Sequence, residues 1–470
     1  MDGEASCPES DSNAPAGSLK ELLHVAFPLV ISAGSLSLMN VVDRVYIARL
    51  SVDALAASMP AVMVNWTMIS LFFGIAGYTN AFVSQYEGAG RKDRVASAVW
   101  QGLFISVIAG LLLQPTGLIS HHIFALMGHD PHVVELEAEY FNWLLPVALP
   151  ILSNNVLGAF FTARKRSAVV MRVNLIMTVC NLVLCPLLIF GWGRFAGIGI
   201  RGAALSTVIA EFLGTGLLIS NLISEARRHN YPFRETFRFD SVLFLRNLRY
   251  GFPNGIQMLL EVGSFTLFLA LIGQLGTNEQ AATNLAFTLN AVAFIPMMGM
   301  GTAVMILVGH RIGEGRAQLG ARTVWKGFLI SAGYMLLFAG IYLSLPELIL
   351  SPFMHGDEKS QFEELKPIVV TLLRFVALYT FFDAMAIIFG SAVRGAGDTL
   401  FSLIFSTLAG WVCMVVPTLW VVRNGGDLYD CWAIITATVI IMGIGFLFRF
   451  VQGKWTKMRV IELDPLQNLP

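Results

Sequence analysis

The chain has 470 residues, 56% of them hydrophobic and only 13% charged, against about 25% charged in an ordinary soluble domain. Lys+Arg and Asp+Glu balance to a net charge of +0, so no broad field invites nucleic acid. The charges crowd into short patches between long apolar runs, which excludes a soluble fold.

Residues 1–19 are polar, without the basic start and small-residue cleavage site of a signal peptide, and are expected to be a disordered tail. Apolar runs long enough to cross a bilayer as helices follow at 22–49, 58–86, 95–118, 140–164, 170–192 and 201–224. A basic connection at 225–249 leads to a second set at 250–275, 283–309, 321–345, 366–393, 399–423 and 428–452, then a tail at 456–470. This predicts an all-α membrane protein of twelve helices. Its N-terminal lobe is 20–224 and its C-terminal lobe 250–455, six helices each. Cys7, Cys180, Cys185, Cys413 and Cys431 form no C-x-x-C pair, so neither a disulfide framework nor a zinc site is expected.

Orientation follows from the loop bases. With the N-terminus cytoplasmic, 22 Lys and Arg fall on that side and six on the other; both termini are therefore expected in the cytoplasm. The outer segments 119–139 and 346–365 are acidic or carry histidine, and His121, His122, His129 and His132 read as a solvated loop.

A repeat relates the halves. Residues 83–106, VSQYEGAGRKDRVASAVWQGLFIS, and 308–331, VGHRIGEGRAQLGARTVWKGFLIS, are identical at ten of 24 positions. Among these are Gly88/Gly313, Gly90/Gly315 and Arg91/Arg316. Duplication of a six-helix unit keeps the same orientation in each copy, relating the lobes by a pseudo-two-fold axis along the membrane normal. Transporters built from parallel repeats bind substrate between the halves.

An ionisable residue in a lipid-buried segment costs at least ~2.5–3.5 kcal/mol on insertion scales. Glu261, Asp383, Asp43 and Glu211 occupy such positions, while Arg374 and Arg449 read as counter-charges or interface snorkels. The repeat offset of 225 carries Glu261 and Asp383 back to Leu36 and Gly158, and Asp43 forward to Phe268. The acids are not part of the duplicated scaffold. Asn40, Asn181, Gln257 and Asn284 share these helices.

At these residues the chain resembles the multidrug and toxic compound extrusion (MATE) family, over nearly all of 20–455. The marks are MNVVDRVYIARLSVDALAA in the first span, the GAGR and GEGR turns, the seventh-to-eighth-span stretch from GFPNGIQMLLEVGSF to AFIPMMGMG, and SAVRGAGDT after the tenth. The resemblance, to the NorM-like bacterial branch, implies a secondary active antiporter. Such a protein exports cationic or amphipathic small molecules in exchange for Na+ or H+, by alternating access between two lobes. It implies cation coupling at Glu261, Asp383 and Asp43. A polar N-lobe site would involve Asn181, Glu211, Cys185 and Asn40, and a substrate cavity Gln257, Asn284 and Tyr379.

Another branch keeps an acid where NLVLCPLLIFG here has Cys185, which leaves open whether an ion site of that kind is complete. A monomer in the inner (plasma) membrane is expected, with no cofactor and no metal beyond a transported Na+. A lipid or lipid-linked-sugar flippase of the same superfamily is the alternative; it would be expected to show a basic cavity or extra spans. The major facilitator type is disfavoured by the absence of G-x-x-x-D-R-x-G-R order, and a membrane enzyme by the absence of H-E-x-x-H, Walker A and G-x-S-x-G motifs.

Overall fold

A computed structural model describes residues 15–193, 195–350 and 359–462. It contains twelve helices long and apolar enough to cross a membrane. The first six are α1 (Leu19–Leu50), α2 (Val52–Gly88), α3 (Lys92–Ala125), α4 (Pro131–Ala163), α5 (Ser167–Phe190) and α6 (Ile200–His229). The second six are α7 (Ser241–Gly273), α8 (Thr277–Gly313), α9 (Ala317–Ser344), α10 (Leu365–Ala396), α11 (Thr399–Arg423) and α12 (Leu428–Val451). A two-stranded antiparallel turn, β1 (Gly191–Trp192) with β2 (Phe195–Ala196), joins α5 to α6. Because the helix count is even, residues 15 and 462 lie on one face, the terminus-bearing face.

Most helices outrun the predicted spans, and at the central connection local caps explain where they stop. Asp240 accepts from Leu243 N at 3.0 Å and starts α7, while Asn230 turns left-handed and ends α6. The connection expected at 225–249 is thus non-helical only over 230–240. Tyr231 and Phe233 of that segment are buried, both ring to ring with Phe160 of α4. Likewise α4 begins within the outer segment expected at 119–139, because Asp130 accepts from His132 N and Pro131 opens the helix. Residues 1–14, with Cys7, fall outside the described residues, as do 351–358 of the second outer segment and 463–470 of the tail. The other four cysteines are free thiols.

The lobes cross where α1 meets α8 and α2 meets α7, and the crossings mirror each other. A Cβ on Gly88 would overlap the carbonyl oxygen of His310, and one on Gly313 that of Gln85. A Cβ on Gly74 would sit 2.5 Å from Gly255 Cα, and one on Gly299 2.8 Å from Val30 N. The repeat offset maps each contact onto its partner. The arms are also exchanged. Leu22, Val25, Ala26 and Leu29 of α1 lie in the C-terminal core, and Leu243 of α7 lies in the N-terminal one.

The hydrogen bonds that join the lobes gather on the terminus-bearing half. They include Tyr78 Oη to Arg394 O (3.0 Å), Gln85 Nε2 to Gly395 O (3.1 Å) and Asn254 Nδ2 to Gly74 O (2.8 Å).

These contacts separate two kinds of glycine. Gly88 is required by close approach, Gly90 by a φ of +71° with open space around it. Gly88→Ala is expected to cost ~1–3 kcal/mol by overpacking and Gly90→Ala ~1–2 kcal/mol by backbone strain. Gly34, with no neighbour in reach, should accept alanine without loss. Unfolding midpoints in detergent check the order; equal effects at Gly88 and Gly34 would refute it.

Candidate functional site

In the N-terminal lobe, α1, α5 and α6 converge on Asp43, which is only 6% exposed. Its Oδ2 accepts from Thr207 Oγ1 at 3.1 Å and lies 3.4 Å from Asn181 Nδ2. The same Asn181 nitrogen lies 3.4 Å from Ser206 Oγ and 3.3 Å from Thr207 Oγ1. The buried Cys185, one helical turn beyond Asn181, lies beside the Asp43 carboxyl group. Tyr140 of α4 is close enough to sense both. Asp43 Oδ1 and Asn181 Oδ1 are buried without a hydrogen-bond partner. An unpaired carboxylate oxygen together with an unpaired amide oxygen on the neighbouring helix, in an apolar lobe, could take a positive charge.

Glu211 lies one turn from Thr207 on α6 but belongs to another pair. Asn154 Nδ2 donates to its Oε2 at 2.8 Å, and Thr215 Oγ1 donates to Asn154 Oδ1 at 2.8 Å. Asn40 is exposed and takes no part in the hydrogen bonds around Asp43. Of the four residues grouped from sequence as a polar N-lobe site, Asn181 and Cys185 meet Asp43, and Glu211 and Asn40 do not.

In the C-terminal lobe Glu261 is exposed on α7 and Oε1 accepts from Gln257 Nε2 at 2.8 Å. That nitrogen is also 3.2 Å from Ser406 Oγ of α11. The α11 backbone widens into a π-helix over Leu408–Val415, where Trp411 Nε1 donates to Leu260 O at 3.2 Å. A widened turn of this kind often marks a functional position; here it clamps the α7 segment that carries Glu261.

Asp383 of α10 is half-buried and, among the described residues, its carboxylate accepts no hydrogen bond. Tyr379, one turn earlier, senses its charge and receives a 3.4 Å hydrogen bond from Asn290 Nδ2 of α8. Asn284, grouped with Tyr379 from sequence, is exposed, and its place is taken by Asn290.

Arg394, one of the 22 bases on the expected cytoplasmic side, follows the apolar run of α10. The structure puts it within the field of Glu261, while its carbonyl receives Tyr78 from the other lobe. Only the fold could reveal that placement. Thr207 and Ser206 were missed because hydroxyls are frequent in such helices and carry no pattern. Arg449 pairs with Asp398 at 2.7 Å and caps the Phe401 ring at 4.6 Å, a structural counter-charge. Arg374 is exposed. His129 holds the buried Glu137 at 2.7 Å, and no cluster of three or more metal-ligating residues occurs among the described residues. A shallow groove of about 680 Å³ along Leu19, Lys20, Leu23, His24 and Phe27 lies on the outside of α1, away from all these acids.

A family model described as MatE matches residues 28–187 and 253–420, one copy in each lobe. This chain belongs to the MatE family of transporters. Among its relatives, a "Probable multidrug resistance protein NorM" of Pseudomonas putida is 28% identical over 459 residues, covering 95% of this chain and 96% of its own length. One of the same name from Rhizobium meliloti is 26% identical over 404 residues, 86% of each chain. Among solved structures, a MOP superfamily transporter from Pyrococcus furiosus superposes with a TM-score of 0.84 at 22% identity, covering 95% of this chain and 100% of that one. A multidrug resistance MATE family transporter in an outward-facing conformation superposes at 0.83 and 20%, with the same coverage. As a MatE transporter, the chain is a multi-pass membrane protein.

Cys185 offers a test of whether the Asp43 site takes a cation. A thiol is a poor ligand for a hard cation such as Na+, so replacing it with an oxygen acid should alter ion binding. Cys185→Asp is expected to strengthen Na+ binding at pH 8 by about tenfold, equivalent to 1.4 kcal/mol. Cys185→Ala should leave it unchanged. Calorimetry on purified protein checks this, and equal Na+ affinity in both variants would show that residue 185 does not face the ion.

Proposed function

We propose that the chain is a secondary active antiporter that exports cationic or amphipathic small molecules in exchange for H+ or Na+. It would work by alternating access between the lobes, in a plasma membrane with both termini cytoplasmic. The observation that carries this reading is Asp43, buried in the N-terminal lobe with its own Oδ1 and the Oδ1 of Asn181 both unpartnered. The C-terminal lobe adds Glu261 and Asp383, neither with a salt-bridge partner among the described residues. The names of the relatives supply the multidrug character.

A carboxylate in an apolar setting holds a proton, a metal ion or a cationic substrate in competition. If one charge at a time is held and the lobes alternate, the inward flow of the ion drives the outward flow of the substrate. The thiol at 185 favours a proton over Na+ at Asp43, for the reason given above. The flippase reading calls for basic groups in the cavity, whereas Asp43, Glu261 and Asp383 are acidic.

Efflux of a cationic dye from proteoliposomes, under a pH gradient and a Na+ gradient imposed separately, is the test. Wild-type protein should export under at least one of them. Glu261→Gln should insert and fold yet lose gradient-driven efflux. Asp383→Asn should act in the same direction and non-additively if the two share an ion, and Asp43→Asn should impair export from the other lobe. Wild-type rates in Glu261→Gln would remove Glu261 from the mechanism, and no efflux under either gradient would remove the antiport reading.

The orientation rests on the 22-to-six distribution of bases and is tested apart from transport. His122→Cys and Asn278→Cys are at exposed positions on the face opposite the termini. Both should react with an impermeant thiol reagent in intact cells; reaction only after permeabilisation would reverse the topology.

A further inference from the structure

The duplicated frame closes the terminus-bearing face with two unlike locks. Where α1 crosses α8, the fully buried Glu21 pairs with Arg311 of α8 and, at 2.7 Å, with Lys165. The repeat offset carries Glu21 to Arg246 on α7 and Arg311 to Tyr86 on α2. At the two positions equivalent to Glu21 and Arg311, the α7–α2 crossing therefore holds two donors and no acid.

A carboxylate arrives there from outside the repeat. After α12 the chain turns at Trp455, which is buried and stacked on Phe450 at 5.1 Å. It then runs back under the other lobe. Val460 is buried, and its N–H donates to Gln85 Oε1 at 3.0 Å. Two residues further, Glu462 sits in a cage. Tyr86 Oη donates to its Oε2 at 2.8 Å, and Arg246 Nη1 reaches the same oxygen. Arg94 Nε (2.8 Å) and Nη2 (2.7 Å) and Arg91 Nη2 (3.3 Å) take Oε1.

We propose that Glu462 is the acid that completes the second lock, a positioning residue that holds the terminus-bearing face closed and so sets the balance between the two access states. This rests on the alternating-access reading. The residue belongs to the strap anchored on the C-terminal lobe by Trp455, while Tyr86, Arg91 and Arg94 belong to the N-terminal lobe, so the lock spans the interface. Withdrawing Glu462 leaves Arg91, Arg94 and Arg246 facing one another with Asp240, 3.0 Å from Arg94, as the remaining acid of the cage. Attraction then becomes repulsion between like charges.

Burial alone raises a carboxyl group's pKa, but the hydrogen bonds from Tyr86 and Arg94 and the charge of Arg94 outweigh it and hold Glu462 at about 2. The stability this contributes is present above the ordinary carboxylate range and is lost only as pH falls toward that value. Physiological acidification therefore leaves the lock shut.

The test uses the full chain with its own cysteines replaced by alanine and Ser84→Cys added. Ser84 is fully buried, and a Cβ on Gly309 of the opposite lobe would lie 3.1 Å from its Cβ. Closure of this face should shield the new thiol. Glu462→Gln should speed labelling by an impermeant reagent, applied to purified protein, by about tenfold, a population shift of about 1.4 kcal/mol. Glu235→Gln, at an exposed acid, should not. Adding Arg246→Glu to Glu462→Gln returns an acid to the position Glu21 holds in the other half and should restore protection. Labelling of Glu462→Gln at the parent rate, or no protection regained in the double variant, would overturn the proposal. Labelling needs no transport, so an absence of dye efflux would sink the export reading and leave the lock to be judged here. Unchanged labelling with intact efflux would sink the lock alone.

Discussion

The structure depends on two helix ends meeting without side chains between them. Gly88 lies against the His310 carbonyl and Gly313 against the Gln85 carbonyl, so backbone touches backbone across the pseudo-two-fold axis. Close-packed interiors tolerate little added volume. That contact therefore sets how near the lobes can come on the terminus-bearing face. The neighbouring bonds from Tyr78, Gln85 and Asn254 to carbonyls of the opposite lobe are affordable only because the glycines allow the approach. The start of α1, seated in the C-terminal core, and the start of α7, seated in the N-terminal one, extend the same exchange down the axis.

On this symmetric frame the charges are deliberately unlike. Asp43 has hydrogen-bonding neighbours in Thr207 and Asn181 with Cys185 alongside, while its repeat counterpart Phe268 is a fully buried apolar ring. Glu261 and Asp383 have Leu36 and Gly158 as counterparts. Under the proposed mechanism, the shared backbone supplies the motion and the unshared acids supply the coupling. Arg394 lies within the field of Glu261 while its carbonyl accepts from Tyr78. The closing face follows the same pattern, with Glu21 built into one repeat and Glu462 brought in from beyond the other.

Much of the site was legible because charge inside an apolar run is conspicuous. Asp43, Glu261, Asp383 and Glu211 stood out for that reason, and the MATE resemblance placed Asn181 and Cys185 in one site. Their assignment to neighbours was not legible. Rotation about a helix axis puts Asn40 outside and Asp43 inside although they are three residues apart. It likewise gives Tyr379 the amide of Asn290 in place of Asn284, and it pairs Glu211 with Asn154 rather than with Asp43. Each depends on which helix packs alongside, a contact that hydropathy does not encode.

The amino-acid sequence by itself determined the solvent, the twelve crossings, the duplication and the family. These follow from the lengths of apolar runs and from motifs read in order, both local properties. Tertiary structure decided where helices end beyond the bilayer, because caps such as Asp240 and Asn230 act with the burial of Tyr231 and Phe233 beneath the N-terminal lobe. It decided that Gly88 and Gly313 face carbonyls on opposite lobes, which the repeat alone presented as turn glycines. It also decided that a polar tail residue, Glu462, answers three arginines lying more than two hundred residues earlier in the chain. Pairings across such separations arise only when the lobes are docked, since the partners share neither a helix nor a periodic pattern.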